Sequence, residues 1–340
     1  MLYALLNPKS EIRNPKCEEV KSLANGNRLP LYGWIALGAL LTVQVLLFSG
    51  IEVVRYWFFP LAWWPYIVLI DGLVYQRQGS SLLARHPREF LLLLPWSVCF
   101  WLIFELFNLA LNNWHYVMVP ENTVERWIGY AVCYGTVLPG LFETMELLEV
   151  YGLFSKKRLK PIPASNRWYL PFVAAGLLFF ILPLIWPHYF FPLVWGIFVF
   201  LLEPLNHRLG LRSLMREWQQ GSLRTFYLLL LAGAICGLLW EFWNFWALTK
   251  WEYTVPYVGW LKVFEMPVLG FFGFPPFAVE CYVMMSTVTA LRQGRGWKDP
   301  TLPIGKARPT ITTMVYGLLV IFCLVAFHLI DLYTVTSWRP

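Results

Sequence analysis

Long apolar runs alternate along this chain with short polar or basic segments. A helix needs about 20 largely apolar residues to cross a hydrocarbon layer. Nine stretches qualify, near residues 31–50, 56–75, 90–113, 127–150, 168–187, 189–206, 223–248, 261–292 and 311–330. The pattern predicts an all-α polytopic membrane protein with about nine transmembrane helices. The eighth stretch is too long for one straight span and contains Gly270-Phe-Phe-Gly273-Phe-Pro275-Pro276, so a break or re-entrant segment is expected there.

Composition fixes the class independently of the run lengths. The chain is 58% hydrophobic and only 14% charged, whereas soluble domains carry about 25% charged residues. Residues 1–30 hold Lys9, Arg13, Lys16, Lys21 and Arg28 without an apolar core. They are expected to form a short cytoplasmic tail and not a signal or transit peptide. With that tail inside, 22 of the 27 Lys and Arg residues fall in inside segments, as the positive-inside rule requires. One helix more or fewer would invert every later loop and scramble the split, so the N-terminus is expected inside and the C-terminus outside. The net charge of +7 then suits anionic membrane lipids as partners, and nucleic acid is not expected. A bacterial-type inner or plasma membrane is the expected location.

The polar positions repeat. Trp101-Leu-Ile-Phe-Glu105-Leu-Phe-Asn108 recurs as Trp240-Glu241-Phe-Trp-Asn244, and Pro139-Gly-Leu-Phe-Glu143 recurs as Pro276-Phe-Ala-Val-Glu280. In the intervening loops Arg77-Gln-Gly79-Ser-Ser-Leu-Leu83-Ala-Arg85 matches Arg208-Leu-Gly210-Leu-Arg-Ser-Leu214-Met-Arg216, Asp71 matches Glu203, and Trp114-His-Tyr116 matches Trp251-Glu-Tyr253. The chain is therefore expected to divide into the tail 1–30, a four-helix repeat at 31–150, a basic linker at 151–167, a second repeat at 168–292, a basic loop at 293–310 and a final helix within 311–340. An even helix number leaves two such repeats parallel, with a site near their interface.

An ionised carboxylate in hydrocarbon costs at least about 2.5 kcal/mol and is usually kept for a role. Glu105, Glu143, Glu241 and Glu280 are the acid/base candidates. Asn108 and Asn244 lie three residues after a glutamate, on the same helix face, where an amide can orient the carboxylate. Helix rise sets Glu105 about 12 Å and Glu143 about 24 Å below the outer surface, a staircase of acids and not one cluster. Glu–Asn pairs could instead only join helices, for about 0.6 to 2 kcal/mol each. Asp71 and Glu203 are expected to reach water or to pair with Arg77 and Arg208.

Aromatic residues crowd these acids, with Trp101, Trp114, Trp240, Trp243, Trp251 and Phe274 as the substrate-binding candidates. A π face stabilises a cation by about 0.5 to 2 kcal/mol, so an acid beside an aromatic wall suits proton-initiated chemistry on an apolar lipid or isoprenoid. Arg77, Arg85, Arg208 and Arg216 are candidates for lipid headgroups. The six cysteines and five histidines show no metal-ligand spacing, so no zinc, iron–sulfur or haem site and no cofactor is expected, while a carboxylate-only site for a hard cation stays open. No Walker loop or nucleophile elbow is present in the sequence.

Duplicated helices carrying intramembrane acids resemble the architecture of the small membrane lycopene cyclases and carotenoid hydratases, whose repeats bear a Pro-x-Glu-Glu type motif. Here the spacing is Pro139-x3-Glu143 and Pro276-x3-Glu280 without an adjacent second acid, and no residue role is carried over. Three function classes follow. The first is a membrane enzyme using carboxylate acid/base chemistry on an apolar lipid, of isomerase, cyclase or hydratase type. The second is a proton- or cation-coupled transporter, and the third a non-catalytic binding or assembly subunit.

Overall fold

The computed structural model describes residues 28–156, 159–162, 166–291 and 309–336. Most of the tail, parts of the linker and most of the basic loop at 293–310 lie outside these residues. In chain order the helices are α1 (Leu31–Phe48), α2 (Glu52–Tyr56), α3 (Phe58–Gln78), α4 (Leu82–Arg85), α5 (Pro87–Leu111), α6 (Thr123–Tyr134) and α7 (Val137–Val150). They continue with α8 (Tyr169–Ile185), α9 (Pro187–Phe190), α10 (Ile197–Leu209), α11 (Leu214–Gln219), α12 (Arg224–Trp246), α13 (Phe274–Leu291) and α14 (Pro309–Tyr333).

Eight helical segments among the described residues are long and apolar enough to cross a membrane: Leu31–Phe48, Phe58–Gln78, Pro87–Leu111, Asn166–Ile185, Pro187–Leu209, Arg224–Trp246, Val268–Ala290 and Thr313–Tyr333. The stretch at 127–150, read from the sequence as one span, is instead two helices, α6 and α7, parted at Gly135-Thr136. Ser97 of α5 repairs the interruption: its Oγ donates to the Tyr134 carbonyl (2.6 Å) and accepts from the Leu138 amide (2.9 Å). Such rescue is what lets a broken helix persist inside hydrocarbon. The break expected near residues 270–276 is present, as a 3₁₀ turn at Val268–Gly273 ahead of α13.

Helices α3 and α5 form the inside of the bundle, whereas α1, α8 and α14 are largely exposed along their apolar faces. Lipid, not water, satisfies such surfaces. At the centre, the fully buried Trp63 of α3 packs edge-on against Trp243 (4.9 Å) and close to Trp240 (5.5 Å) of α12. Two glycines allow close approaches beside this contact, of α7 to Trp63 and of α12 to Phe274. A Cβ at Gly140 would stand 2.8 Å from the Trp63 ring, and one at Gly237 would stand 2.3 Å from the Phe274 ring.

At one end of the bundle, β1 (Trp114–Val117) pairs antiparallel with β2 (Lys250–Tyr253). The register sets Trp114 opposite Tyr253, His115 opposite Glu252 and Tyr116 opposite Trp251. On its other edge β1 meets the segment after α14, where the Tyr116 amide donates to the Thr334 carbonyl (2.9 Å) and the Thr336 amide to the Tyr116 carbonyl (3.0 Å). Helix α14 is also locked by a buried ion pair. Arg126 of α6 grips Asp331 through Nε (2.7 Å) and Nη2 (2.6 Å), and Trp127 Nε1 and Tyr130 Oη donate to the same carboxylate. A short pair, β3 (Lys262–Val263) with β4 (Met266–Pro267), precedes the 3₁₀ turn.

Candidate functional site

Glu105 projects from α5 and is fully buried. Its Oε1 accepts from Trp101 Nε1 (2.8 Å), Trp114 Nε1 (3.1 Å) and Tyr116 Oη (2.5 Å), while Oε2 is buried without a hydrogen-bond partner. The first donor lies one helical turn before the acid, where side chains meet on one face. The other two come from β1, whose alternation presents Trp114 and Tyr116 on the same side. On α12, Glu241 repeats the arrangement with one change. Tyr253 Oη donates to its Oε1 (2.7 Å), and Trp251 Nε1 donates to the tyrosine oxygen (2.7 Å). The second Glu241 oxygen is likewise buried and unbonded.

Asn108 and Asn244 are bonded to the strands and not to the glutamates. Asn108 Nδ2 donates to the Trp114 carbonyl (2.8 Å), and its Oδ1 accepts from the amides of Asn113 (2.8 Å) and Trp114 (3.3 Å). Asn244 Nδ2 donates to the Trp251 carbonyl (2.8 Å) and its Oδ1 accepts from the Trp251 amide (2.9 Å). The expectation that these amides orient the carboxylates is thereby corrected. Each asparagine pins the start of a strand, and the strand then delivers the tryptophan and tyrosine to the acid.

Glu143 and Glu280 stand apart from both groups. Glu280 accepts the Phe198 amide (2.8 Å) in the first turn of α10, an N-terminal cap. Glu143 is buried on α7 and takes no part in the hydrogen bonds around Glu105. Nor do Asp71 and Glu203 use Arg77 and Arg208. Asp71 accepts from Tyr32 Oη (2.7 Å), Ser81 Oγ (2.8 Å) and the Leu83 amide (2.7 Å). Glu203 accepts from Ser213 Oγ (2.5 Å) and the Met215 amide (2.8 Å). Ser81 and Ser213 cap α4 and α11, so both acids fasten a capped turn to a long helix. Counted from these caps, Arg216 falls opposite Ala84 and Arg85 opposite Glu217.

Arg77, Arg85 and Arg208 are exposed, Arg77 with its guanidinium 5.5 Å from the Tyr151 ring centre. Arg216 is committed to the end of α10, donating to the carbonyls of His207 (2.8 Å) and Gly210 (3.3 Å).

Three aromatic-walled cavities adjoin the strands. The near cavity, about 90 Å³, is bounded by Trp101, Tyr116, Tyr134, Trp240, Trp251 and Phe274, among others. A far cavity of about 640 Å³ lies between the segment Phe191–Phe200 and the turn before α13. A gap of about 40 Å³ lined by Trp101, Trp114, Trp195, Trp251 and Phe274 shares walls with both. Tyr253 borders all three. Trp243 lines none of them and belongs to the packing around Trp63. No carboxylate lines any of these three cavities, whereas Tyr116 and Tyr253 do.

Both tyrosines are therefore part of the site, as is Tyr134, whose Oη donates to Tyr116 Oη (3.0 Å). Burial, and then the adjoining carboxylate, hold the phenols of Tyr116 and Tyr253 well above their ordinary pKa of 10.0, so both remain O–H donors. Sequence matching pairs Trp114-His-Tyr116 with Trp251-Glu-Tyr253 and marks their tryptophans as substrate-binding candidates, but it assigns the tyrosines no role. Among the described residues no group of three His, Cys, Asp or Glu is placed to hold a metal ion. Comparison of the chain with family models, with curated proteins and with solved structures finds no match.

Proposed function

We propose that this chain crosses the membrane nine times as two parallel four-helix units and a last helix, and acts on an apolar lipid in the cavity between the units. The ninth crossing would be α6 and α7 taken together. Their 28 residues, Thr123 to Val150, rise about 40 Å as helix, more than the roughly 30 Å of hydrocarbon. The strand register supports the duplication. Exchanging Trp114, His115 and Tyr116 with Trp251, Glu252 and Tyr253 reproduces the pairing, as a twofold axis through His115 and Glu252 would. Because both strands lie at the same end of the bundle, that axis would run along the membrane normal.

One observation carries the activity: a phenol hydrogen-bonded to a buried glutamate faces an aromatic cavity from each unit, Tyr116 on Glu105 and Tyr253 on Glu241. In this reading the tyrosine O–H protonates a carbon–carbon double bond of the bound lipid and takes a replacement proton from its glutamate. The resulting cation rests against the faces of Trp101 and Trp251. Loss of a proton from a neighbouring carbon to the same dyad would complete an isomerisation or cyclisation; water would complete a hydration. The separate engagement of Asp71, Glu203 and Glu280 with serine hydroxyls and backbone amides argues against the transporter alternative, which needs those acids as successive stations. Favouring the non-catalytic alternative, every hydrogen bond of Asn108 and Asn244 is spent on holding strands.

The test compares apolar lipid extracts of membranes containing wild type, Glu105→Gln and Glu241→Gln. At least one variant should lose a lipid conversion that wild type performs while inserting and melting normally. The two variants should differ, because Trp101 and Trp114 both donate to Glu105, whereas Trp251 donates to Tyr253. Unchanged conversion in both would leave the binding or assembly reading in front.

A further inference from the structure

The far cavity contains a group that the acid/base reading does not use. Asn113 sits between α5 and β1 and is buried to 94%. Its backbone is fixed on both sides, the amide on Asn108 Oδ1 and the carbonyl on the Thr254 amide (2.8 Å). Asn113 is one of the residues lining the cavity, and its Oδ1 is buried without a hydrogen-bond partner. A rigidly held, buried and unpartnered amide is costly, and it offers one acceptor and one donor to whatever enters.

The rest of the cavity narrows what that can be. Its walls are Phe, Trp, Val, Leu, Met, Pro and Gly, with no charged side chain. Of its other polar side chains, the Tyr253 hydroxyl is already donating to Glu241 and accepting from Trp251, the Trp114 indole N–H donates to Glu105, and the Trp195 indole adds a donor but no acceptor. At about 640 Å³ the space is that of a lipid-sized molecule. Phe272 and Leu269 at its wall are strongly exposed on the lipid-facing surface, so entry from the bilayer needs no passage through water. A charged headgroup would find no counter-charge, and a pure hydrocarbon would leave the amide unmatched. An alcohol both donates and accepts at one oxygen.

We propose that the far cavity is a binding site for a neutral lipid alcohol, its hydroxyl paired with the Asn113 amide and its hydrocarbon body in the Phe191–Phe200 and Met266–Val279 walls. The hydroxyl lies at the strand end of the bundle, where spans meet the membrane surface, and the body lies deeper, as an amphiphile would orient. The site stands independently of turnover at the near cavity, because binding is read without any reaction.

The test uses geranylgeraniol and the hydrocarbon squalane as probes, with wild type, Asn113→Val and Leu230→Trp in detergent. Asn113→Val keeps both backbone bonds and removes only the amide; Leu230→Trp fills the cavity away from Asn113 and from both dyads. Wild type should bind the alcohol about tenfold more tightly than the hydrocarbon, equivalent to about 1.4 kcal/mol. Asn113→Val should abolish that preference, and Leu230→Trp should weaken both probes at least tenfold. If Leu230→Trp does not melt as wild type does, Val258→Trp in the loop wall replaces it. A diazirine-bearing geranylgeraniol should label residues 191–200 or 266–279. Equal binding of the two probes, a preference that survives Asn113→Val, or labelling confined to other segments would each overturn the proposal. Failure of the lipid-conversion test together with a retained alcohol preference would sink only the acid/base reading.

Discussion

Replacing Asn108 with alanine is the sharpest test of how the site is assembled. The change removes one donated and two accepted hydrogen bonds and strands the Asn113 amide and the Trp114 amide and carbonyl. Each buried backbone group left unpaired costs about 1–3 kcal/mol. Discounting the 3.3 Å contact to the Trp114 amide as weak, the loss should come to about 2–6 kcal/mol. Asn244→Ala removes two bonds in a less buried place and should cost about 1–3 kcal/mol. Asn108→Asp keeps both acceptor contacts but cannot donate to the Trp114 carbonyl, so it should fall between wild type and alanine. Two assays separate strand loss from general weakening. Unfolding in detergent gives the energy, while a cysteine pair at His115 and Glu252, directly opposite across β1 and β2, reports the strand. Opposed strand residues have Cα atoms about 4.5–5.5 Å apart, within disulfide reach, so the pair should cross-link readily in wild type and slowly in Asn108→Ala. An Asn108→Ala variant within about 0.5 kcal/mol of wild type, cross-linking at the same rate, would refute the view that this asparagine holds the strand.

Asp331→Ala should cost about 3–5 kcal/mol in an unfolding measurement, because it abandons the buried Arg126, while Arg126→Met combined with Asp331→Leu should recover most of the loss. Glu217 in α11 has its carboxyl raised above the ordinary 4.5 by burial, partly offset by Thr225 and Arg212. The folded state therefore binds the proton more tightly, and this contribution to stability is present in acid and lost as pH rises through the folded value. Glu217→Gln should accordingly raise the melting temperature at neutral pH and converge with wild type in acid; a pH-independent difference would contradict the assignment. Reporters active in the cytoplasm should give signal when fused after residues 160 and 300 and none after residue 120; signal at 120 would overturn the nine-crossing topology.

The membrane class and the interruption before α13 were legible because both depend on local features: apolar length for one, Gly270, Gly273 and the Pro275-Pro276 pair for the other. The roles of Asn108 and Asn244 were not. Helical spacing placed each amide on the face of its glutamate, but the competing partner, the backbone of a strand five to seven residues further on, becomes visible only once that strand exists. Gly135-Thr136 was the available signal for parting α6 from α7, and the apolar periodicity across 127–150 masked it. Arg126 and Asp331 are 205 residues apart, so nothing local couples them. An aspartate directly after the last apolar stretch was the clue, since such a charge needs a partner. For Asp71 and Glu203, charge complementarity pointed to nearby arginines, whereas the serine caps ten residues further on offered aligned donors.

The pairing of Tyr116 with the segment after α14 sets a schedule for biogenesis. Tyr116 and Thr336 are 220 residues apart, and chains grow at about 5–20 residues per second, so roughly 10–40 s pass between their synthesis. Through that interval one edge of β1 waits without its partner at the membrane surface, although the helix bearing Glu105 has long been inserted. That edge can close only after α14 and residues 334–336 have been made. The site is thus among the last parts of the protein to mature, and a ribosome stalled before the final helix would leave every glutamate in place with an unfinished sheet above them.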